Sequence, residues 1–205
     1  MHHATVHYRG LDLDVLPSGG VLPPSYWANW SYINYLIQKF SLTDAKILDM
    51  FAGSGCIGFS LKNETPCQSV DFADANYLAC ESMRTTIANN PTLESEVWLT
   101  DIFDNIPPEK KFDLIVGNPP HFARPFYSMR TLTGSDVDWK AHKKLFETIE
   151  RRLTEKGKAC FMEALGKDSD RIPTLEAPTG SYKAFYQKLE EICPSLKIEV
   201  RTPEQ

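Results

Sequence analysis

The segment that most constrains this chain runs from Lys46 to Lys62. Lys46-Ile47-Leu48-Asp49 reads as a strand and Cys56 to Lys62 as a helix, with Met50-Phe51-Ala52-Gly53-Ser54-Gly55 between them. Glycine at 53 and 55 permits a tight turn and lets the backbone approach a ligand closely. A strand, a glycine turn and a helix open a βαβ pattern, and the following sequence keeps that rhythm. Ser69 to Asp74 is a second strand, in which Asp71 is an awkward residue for a buried sheet, and Ala75 to Asn89 is a helix. Val97 to Thr100 and Phe112 to Val116 read as strands, Asp138 to Thr154 as a helix and Lys158 to Ala164 as a fifth strand. Ser181 to Ile192 is a further helix and Leu196 to Val200 a last strand. This alternation predicts an α/β fold, a Rossmann-like doubly wound and mostly parallel sheet, with its site at the strands' C-terminal ends.

Ahead of this body, residues 5–22 alternate apolar and polar, which predicts a small hairpin turned at Pro17-Ser18-Gly19-Gly20. Pro23-Pro24-Ser25 then precedes a helix over 25–40, with Tyr26, Trp30, Ile33, Ile37 and Phe40 on one apolar stripe. That stripe reads as a packing face, while Trp27 and Tyr35 lie off it, as a lid over a pocket would have them. The expected organisation is a hairpin and aromatic helix over 1–44, packing on or over the site, and a cofactor-binding catalytic domain over 45–205. Residues 122–133 and 166–180 resist secondary structure and leave the C-terminal ends of strands, where substrate-contacting loops belong.

Length and composition narrow the class. At 205 residues the chain suits one domain with a full core. No apolar stretch approaches the roughly 20 residues that span a bilayer, and the N-terminus carries no basic region followed by an apolar run. Five cysteines without a CxxC suit buried thiols in a reducing compartment, so a cytoplasmic protein away from membranes is expected. The net charge is −5 and basic residues are scattered. The one short cluster, Lys143-Lys144 to Arg151-Arg152, is interleaved with acids at helical spacing and reads as a solvated face. Composition therefore gives no strong nucleic-acid signal.

Three acids end three successive strands. Asp49 precedes the glycine turn, where a carboxylate repels a diphosphate but accepts from a ligand ammonium, directly or through water. Asp74, 25 residues on, stands where an acid accepts from ribose hydroxyls. That spacing also suits a dinucleotide enzyme, but the full pattern DxFxGxGxxG favours a cofactor with a cationic amino acid tail. Asp101 is placed to accept from an adenine amino group with Ile102 packed on the ring, or simply to cap a short turn with Asp104.

Phe112-Asp113-Leu114-Ile115-Val116-Gly117-Asn118-Pro119-Pro120-His121 is the reacting side. An apolar strand delivers Asn118 to the sheet edge, and two prolines without N–H groups stiffen the turn after it. The Asn118 side-chain oxygen and the Pro119 carbonyl can both accept from an amine N–H. Such a pair aligns the nitrogen lone pair with an electrophilic carbon, and alignment supplies much of the rate in a displacement.

Residues 46–121 resemble the class I S-adenosylmethionine-dependent methyltransferases, in the branch with an Asn-Pro-Pro-aromatic motif that includes release-factor glutamine methyltransferases and amino-methylating adenine enzymes. Tyr8-Arg9-Gly10-Leu11 through Val21-Leu22-Pro23-Pro24 is also similar to the hairpin that precedes the domain in the glutamine enzymes. The resemblance implies S-adenosylmethionine as co-substrate, held by Asp49, Phe51, Gly53, Gly55, Asp74, Asp101, Ile102 and Asn118. It makes Asn118 and Pro119 the amine-binding hook. His121 replaces the family's stacking aromatic ring and can contact substrate or take a proton near neutrality; no Cys/His/acid set accompanies it to make a zinc site. Trp27, Trp30, Phe126 and Tyr127 are expected to wall the substrate.

The leading expectation is methyl transfer to a nitrogen of a small or compact acceptor. One alternative keeps the cofactor alone: its own α-amine displaces methylthioadenosine to give a small cyclic amino acid. A second alternative is a binding or scaffold protein that has kept the fold. The last strand lacks the antiparallel partner usual in this family: the sequence stops short of it, a partner subunit completes that sheet edge, or the last strand is assigned wrongly.

Overall fold

A computed structural model describes residues 2–25, 28–120 and 134–162. The chain opens on an antiparallel hairpin, β1 (Ala4–Tyr8) and β2 (Leu11–Val15). The hairpin turns at Arg9-Gly10, whose φ angles of +49° and +78° match the right-handed twist of the strands. The proline- and glycine-marked stretch expected to be that turn is instead a second reversal. Pro17–Gly19 forms a single 3-10 turn, closed by a bridge between Leu16 and Val21. A two-residue loop needs little sequence punctuation, so the louder Pro-Ser-Gly-Gly signal drew the prediction away from it.

Helix α1 (Ala28–Lys39) follows. Its buried face is Asn29, Tyr32, Ile33 and Leu36, a stripe rotated from the expected one. Ile33 is shared by both stripes, but Trp30 is 41% exposed, with Arg9 stacked on its ring at 4.4 Å. The rotation is possible because the buried polar groups find partners. The Asn29 side-chain oxygen accepts from the Ser25 N–H at 2.7 Å, and the Tyr32 hydroxyl donates to the Cys160 carbonyl at 2.6 Å. Apolar spacing alone is blind to such bonds. Tyr26, the first member of the expected stripe, lies outside the described residues.

Next come β3 (Lys46–Met50), α2 (Cys56–Glu64), β4 (Ser69–Asp74), α3 (Tyr77–Asn89), β5 (Val97–Leu99) and β6 (Phe112–Gly117). Helix α4 (Lys140–Thr148) and β7 (Leu153–Phe161) complete the described chain. All five later strands run parallel in the order β5-β4-β3-β6-β7. The chain therefore winds outward from β3 to β5, then crosses to the other side of β3, placing the topological switch point between β3 and β6.

The sheet is covered on both faces. Ile47, Val70, Phe72, Leu114 and Val116 face α1, α2 and α3 in one cluster, which the hairpin joins through Tyr8, Leu11 and Leu13. Leu48, Met50, Ala73 and Ile115 face Leu145 and Ile149 in the other cluster, together with Ile102, Phe103 and Ile106. Phe59 and Phe72 are fully buried, and each such side chain contributes about 1.5–3 kcal/mol. Asp71 is tolerated in β4 because Lys110 reaches its carboxylate at 2.6 Å and the Trp98 indole N–H lies 3.4 Å away.

The helix expected over 138–154 is shorter. α4 is flanked by 3-10 turns at Val137–Trp139 and Ile149–Arg152, and β7 starts at Leu153 instead of 158. Leu153 pairs with Phe112, and an irregularity follows before regular pairing resumes at Leu114 and Lys158. That interruption, through the polar run Thr154-Glu155-Lys156, hid the start of the strand. Lys144 and Arg152 are also more engaged than a solvated face implies. Lys144 bridges Asp101 at 2.7 Å and Asp104 at 2.6 Å, and Arg152 donates to the Pro107 carbonyl at 2.6 Å. Among the described residues no helix is long and apolar enough to cross a membrane. The expected helix 181–192 and strand 196–200 lie outside the described residues, as do residues 166–180.

Candidate active site

The two motif-bearing turns leave adjacent strands. Met50 of β3 is in register with Gly117 of β6, so the glycine turn and Asn118 emerge side by side at the switch point. A Cβ on Gly117 would lie 2.2 Å from the Met50 carbonyl oxygen, so glycine alone lets these strand ends converge. Beyond Met50 the backbone enters the left-handed region at Phe51 (φ +59°), Gly53 (φ +56°) and Gly55 (φ +73°), and Gly55 caps the N-terminus of α2. Glycine does this freely, whereas Phe51 does it under strain of about 1–3 kcal/mol.

Asp49 is fully buried beneath this turn. One carboxylate oxygen accepts from the Gly58 N–H at 2.8 Å, and the other, Oδ1, has no partner among the described residues. Burial pushes the Asp49 carboxyl well above the usual carboxylate range, opposed by the Gly58 bond and helped by the nearby Asp74 charge. A buried, unmatched carboxylate oxygen is an acceptor held ready for a cation or donor. It also has a cost in the free protein. The folded state holds its proton to higher pH than the unfolded state, so stability falls as pH rises from about 4 toward the raised value. Comparing urea midpoints of wild type and Asp49→Asn across that range checks this: the variant is expected to lose part of the downward slope, which for one group cannot exceed about 1.4 kcal/mol per pH unit.

Asp74 ends β4 and is held from two sides. Its Oδ2 accepts from the Gly53 N–H and its Oδ1 from the Asn76 N–H, each at 2.8 Å. Burial again raises its pKa, against backbone N–H bonds from Asn76, Gly53 and Ala75. These bonds fix the carboxylate's orientation and still leave it capacity to accept further. Asn76 caps α3 by accepting from Leu78 N–H, and its side-chain N–H donates to the Gly19 carbonyl at 2.9 Å. The Pro17–Gly19 turn thus reaches the rim of the site beside Asp74.

Asp101 is exposed and ion-paired to Lys144. Ile102 follows with φ +56° and is 3% exposed, its side chain packed with the second core cluster. A β-branched residue at positive φ is an outlier that surrounding structure must enforce. Here Thr100 Oγ1 accepts from the Asn105 N–H at 3.0 Å, and the Asn105 side chain donates to the Leu99 carbonyl at 2.7 Å. Two strained non-glycine residues, Phe51 and Ile102, therefore lie just past strand C-termini in the expected cofactor region.

Asn118 continues from β6, and its Oδ1 is buried without a partner among the described residues. Pro119 is buried and Pro120 half-buried. Behind them the Tyr32 hydroxyl lies 3.4 Å from the Gly117 N–H, which donates toward it, while donating itself to the Cys160 carbonyl. Apolar spacing gave no sign of Tyr32, Gly117 or Asn76. Burial pushes the Cys56 thiol up to about 12, with the Asp49 charge adding to it, so this cysteine is no nucleophile at neutral pH. His121, Trp27, Phe126 and Tyr127 lie outside the described residues, and Trp30, inside them, stacks on Arg9. Among the described residues no three His, Cys, Asp or Glu side chains converge as a metal site.

A parallel doubly wound sheet with a glycine turn and an Asn-Pro-Pro turn at its switch point defines a class I methyltransferase fold. The family model for the methyltransferase small domain matches residues 33–177, and the chain belongs to that family. Ribosomal RNA small subunit methyltransferase C of Haemophilus influenzae is 33% identical over 143 residues, covering 70% of this chain and 42% of that protein. The enzyme of the same name from Actinobacillus pleuropneumoniae is 35% identical over 153 residues, 73% of this chain and 42% of its own. The chain thus spans about two fifths of the length of these relatives. Among solved structures, a T. thermophilus 16S rRNA N2 methyltransferase in complex with AdoMet and guanosine aligns with a TM-score of 0.57 at 18% identity, over 78% of this chain and 41% of that one.

These relatives overturn one expectation. A small or compact acceptor, or S-adenosylmethionine alone, with no nucleic-acid signal, does not fit a chain whose relatives are named for ribosomal RNA. A net charge is a sum over the chain and does not report the charge of any one face. Asp14, Asp49, Asp71 and Asp136 are all buried, and three of them face His3, Lys110 and His142.

Proposed function

We propose that this chain is an S-adenosylmethionine-dependent methyltransferase acting on a nitrogen of ribosomal RNA. The observation that carries the reading is the pair of buried oxygens on Asp49 and Asn118, without partners among the described residues and set on adjacent strand ends. The residues fit the cofactor. Asp49 Oδ1 suits an amino acid ammonium, the remaining lone pairs of Asp74 suit ribose hydroxyls, and the Gly53–Gly55 backbone gives close approach. When bound, the sulfonium supplies a methyl carbon, whose bond to sulfur breaks as the acceptor nitrogen bonds to it, leaving S-adenosylhomocysteine and one released proton.

The protein's own work is orientation. Asn118 Oδ1 and the Pro119 carbonyl accept N–H bonds from the acceptor, and the prolines hold both in place. Asp101 and Ile102 bound the adenine side in this reading. The RNA acceptor is supported by the names of the 33–35% identical relatives, and the nitrogen by the acceptor-only hook. Incubation with S-adenosylmethionine, with and without small-subunit ribosomal RNA, tests the whole reading. RNA-dependent S-adenosylhomocysteine is the expected product. Methylthioadenosine formed without RNA would replace methylation with cyclisation.

A further inference from the structure

We infer that Tyr32 is a positioning residue for the Asn118 hook, acting through the end of β6; this rests on the methyl-transfer reading above. Tyr32 comes from α1, far in sequence from the sheet, yet its hydroxyl is wedged between the ends of β6 and β7. It donates to the Cys160 carbonyl at 2.6 Å and lies 3.4 Å from the Gly117 N–H, which donates toward it. The Gly117 carbonyl accepts from the Met162 N–H at 2.9 Å. Gly117 is thus approached at its N–H by α1, bound at its carbonyl by the chain after β7, and set so close to β3 that an added Cβ would lie 2.2 Å from the Met50 carbonyl oxygen. Asn118 is the next residue, and its own side-chain oxygen makes no bond to the described residues that could orient it. Its direction is therefore set by the backbone before and after it. Pro119 fixes one side and the Tyr32 clamp fixes the other.

The clamp is built to be stiff. Tyr32 is 8% exposed and packs in the first core cluster with Ile33 and Leu36. Burial raises its hydroxyl well above the ordinary tyrosine value, so it remains a donor over all working pH. Removing the oxygen leaves the Gly117 N–H and the Cys160 carbonyl only the bonding of the parallel β6–β7 pair, without the brace that ties both strand ends to α1, and the strand end is then freer to shift. Catalytic geometry tolerates little of this, since a shift of about 1 Å can cost on the order of a hundredfold in rate.

The test is Tyr32→Phe in the full chain, with S-adenosylhomocysteine affinity by calorimetry, kcat and KM for RNA methylation, and the same constants in Asn118→Ala and the double variant. Calorimetric affinity is expected to stay within about twofold and kcat to fall by about tenfold or more. In the Asn118→Ala background the same change should cost no further kcat, because its effect passes through Asn118. A kcat equal to wild type, or a full additional loss in the double variant, would overturn the assignment. If Tyr32→Phe is partly unfolded, the constants are taken in concentrated sucrose, which restores the folded population. An Asn118→Ala variant with wild-type turnover would instead sink the underlying reading of the hook, separating the two failures.

Discussion

Asn118→Ala is expected to lower kcat for RNA methylation by about a hundredfold or more, with S-adenosylhomocysteine affinity changed little and the melting temperature unchanged or slightly raised. The division of effects follows from the hook's geometry. Asn118 Oδ1 accepts no hydrogen bond from the described residues, so its loss removes no support from the fold. An unmatched buried acceptor is a small liability in the free protein, and alanine relieves it. Under the proposed function, the oxygen takes its partner when an acceptor N–H arrives, and that bond fixes the nitrogen's approach. Asn118→Asp retains an acceptor at the same place but adds a charge to bury, so it should retain more activity than alanine and less than wild type. Steady-state kinetics with calorimetry separate the two contributions. A parallel loss of kcat and cofactor affinity would mean that Asn118 serves the cofactor more than the acceptor.

Asp74→Ala is expected to weaken S-adenosylhomocysteine binding by about a hundredfold. Hydrogen bonds to a charged group are worth about 1.5–3 kcal/mol each, and two ribose hydroxyls would lose theirs, where about 2.7 kcal/mol is already a hundredfold. The same change also releases the Gly53 and Asn76 N–H groups, loosening the glycine turn and the start of α3. Asp74→Asn separates these consequences because the amide keeps one acceptor oxygen. Calorimetry on both variants is the check, and an unchanged affinity in Asp74→Ala would remove Asp74 from the cofactor site.

Where the candidate residues fall in the fold was largely legible from the sequence. Asp49, the glycines, Asp74 and Asn118 are placed by local order, because a residue ending a strand in a doubly wound sheet is delivered to one edge. What local order does not reveal is what comes from elsewhere in the chain. Tyr32 reaches Gly117 across 85 residues, and Asn76 meets Gly19 across 57. Neither contact has a period or a motif. Gly117 itself reads as an ordinary strand residue until Met50 is placed against it. The hairpin shows the opposite failure, since Pro17-Ser18-Gly19-Gly20 signals a turn correctly but the strands had already reversed at Arg9-Gly10. The acceptor was misjudged for a related reason: charge was summed over the chain, and a sum has no place in the fold and so says nothing of any one face.

The most direct measurement is the fate of a labelled methyl group. S-adenosylmethionine carrying a heavy methyl is incubated with the protein and small-subunit ribosomal RNA, and the digested nucleosides are analysed by mass. The prediction is one methylated nucleoside with the label on nitrogen, absent when Asn118 is replaced by alanine. Label on carbon or ribose oxygen, or label recovered only in methylthioadenosine, would contradict the assignment of this site to nitrogen methylation.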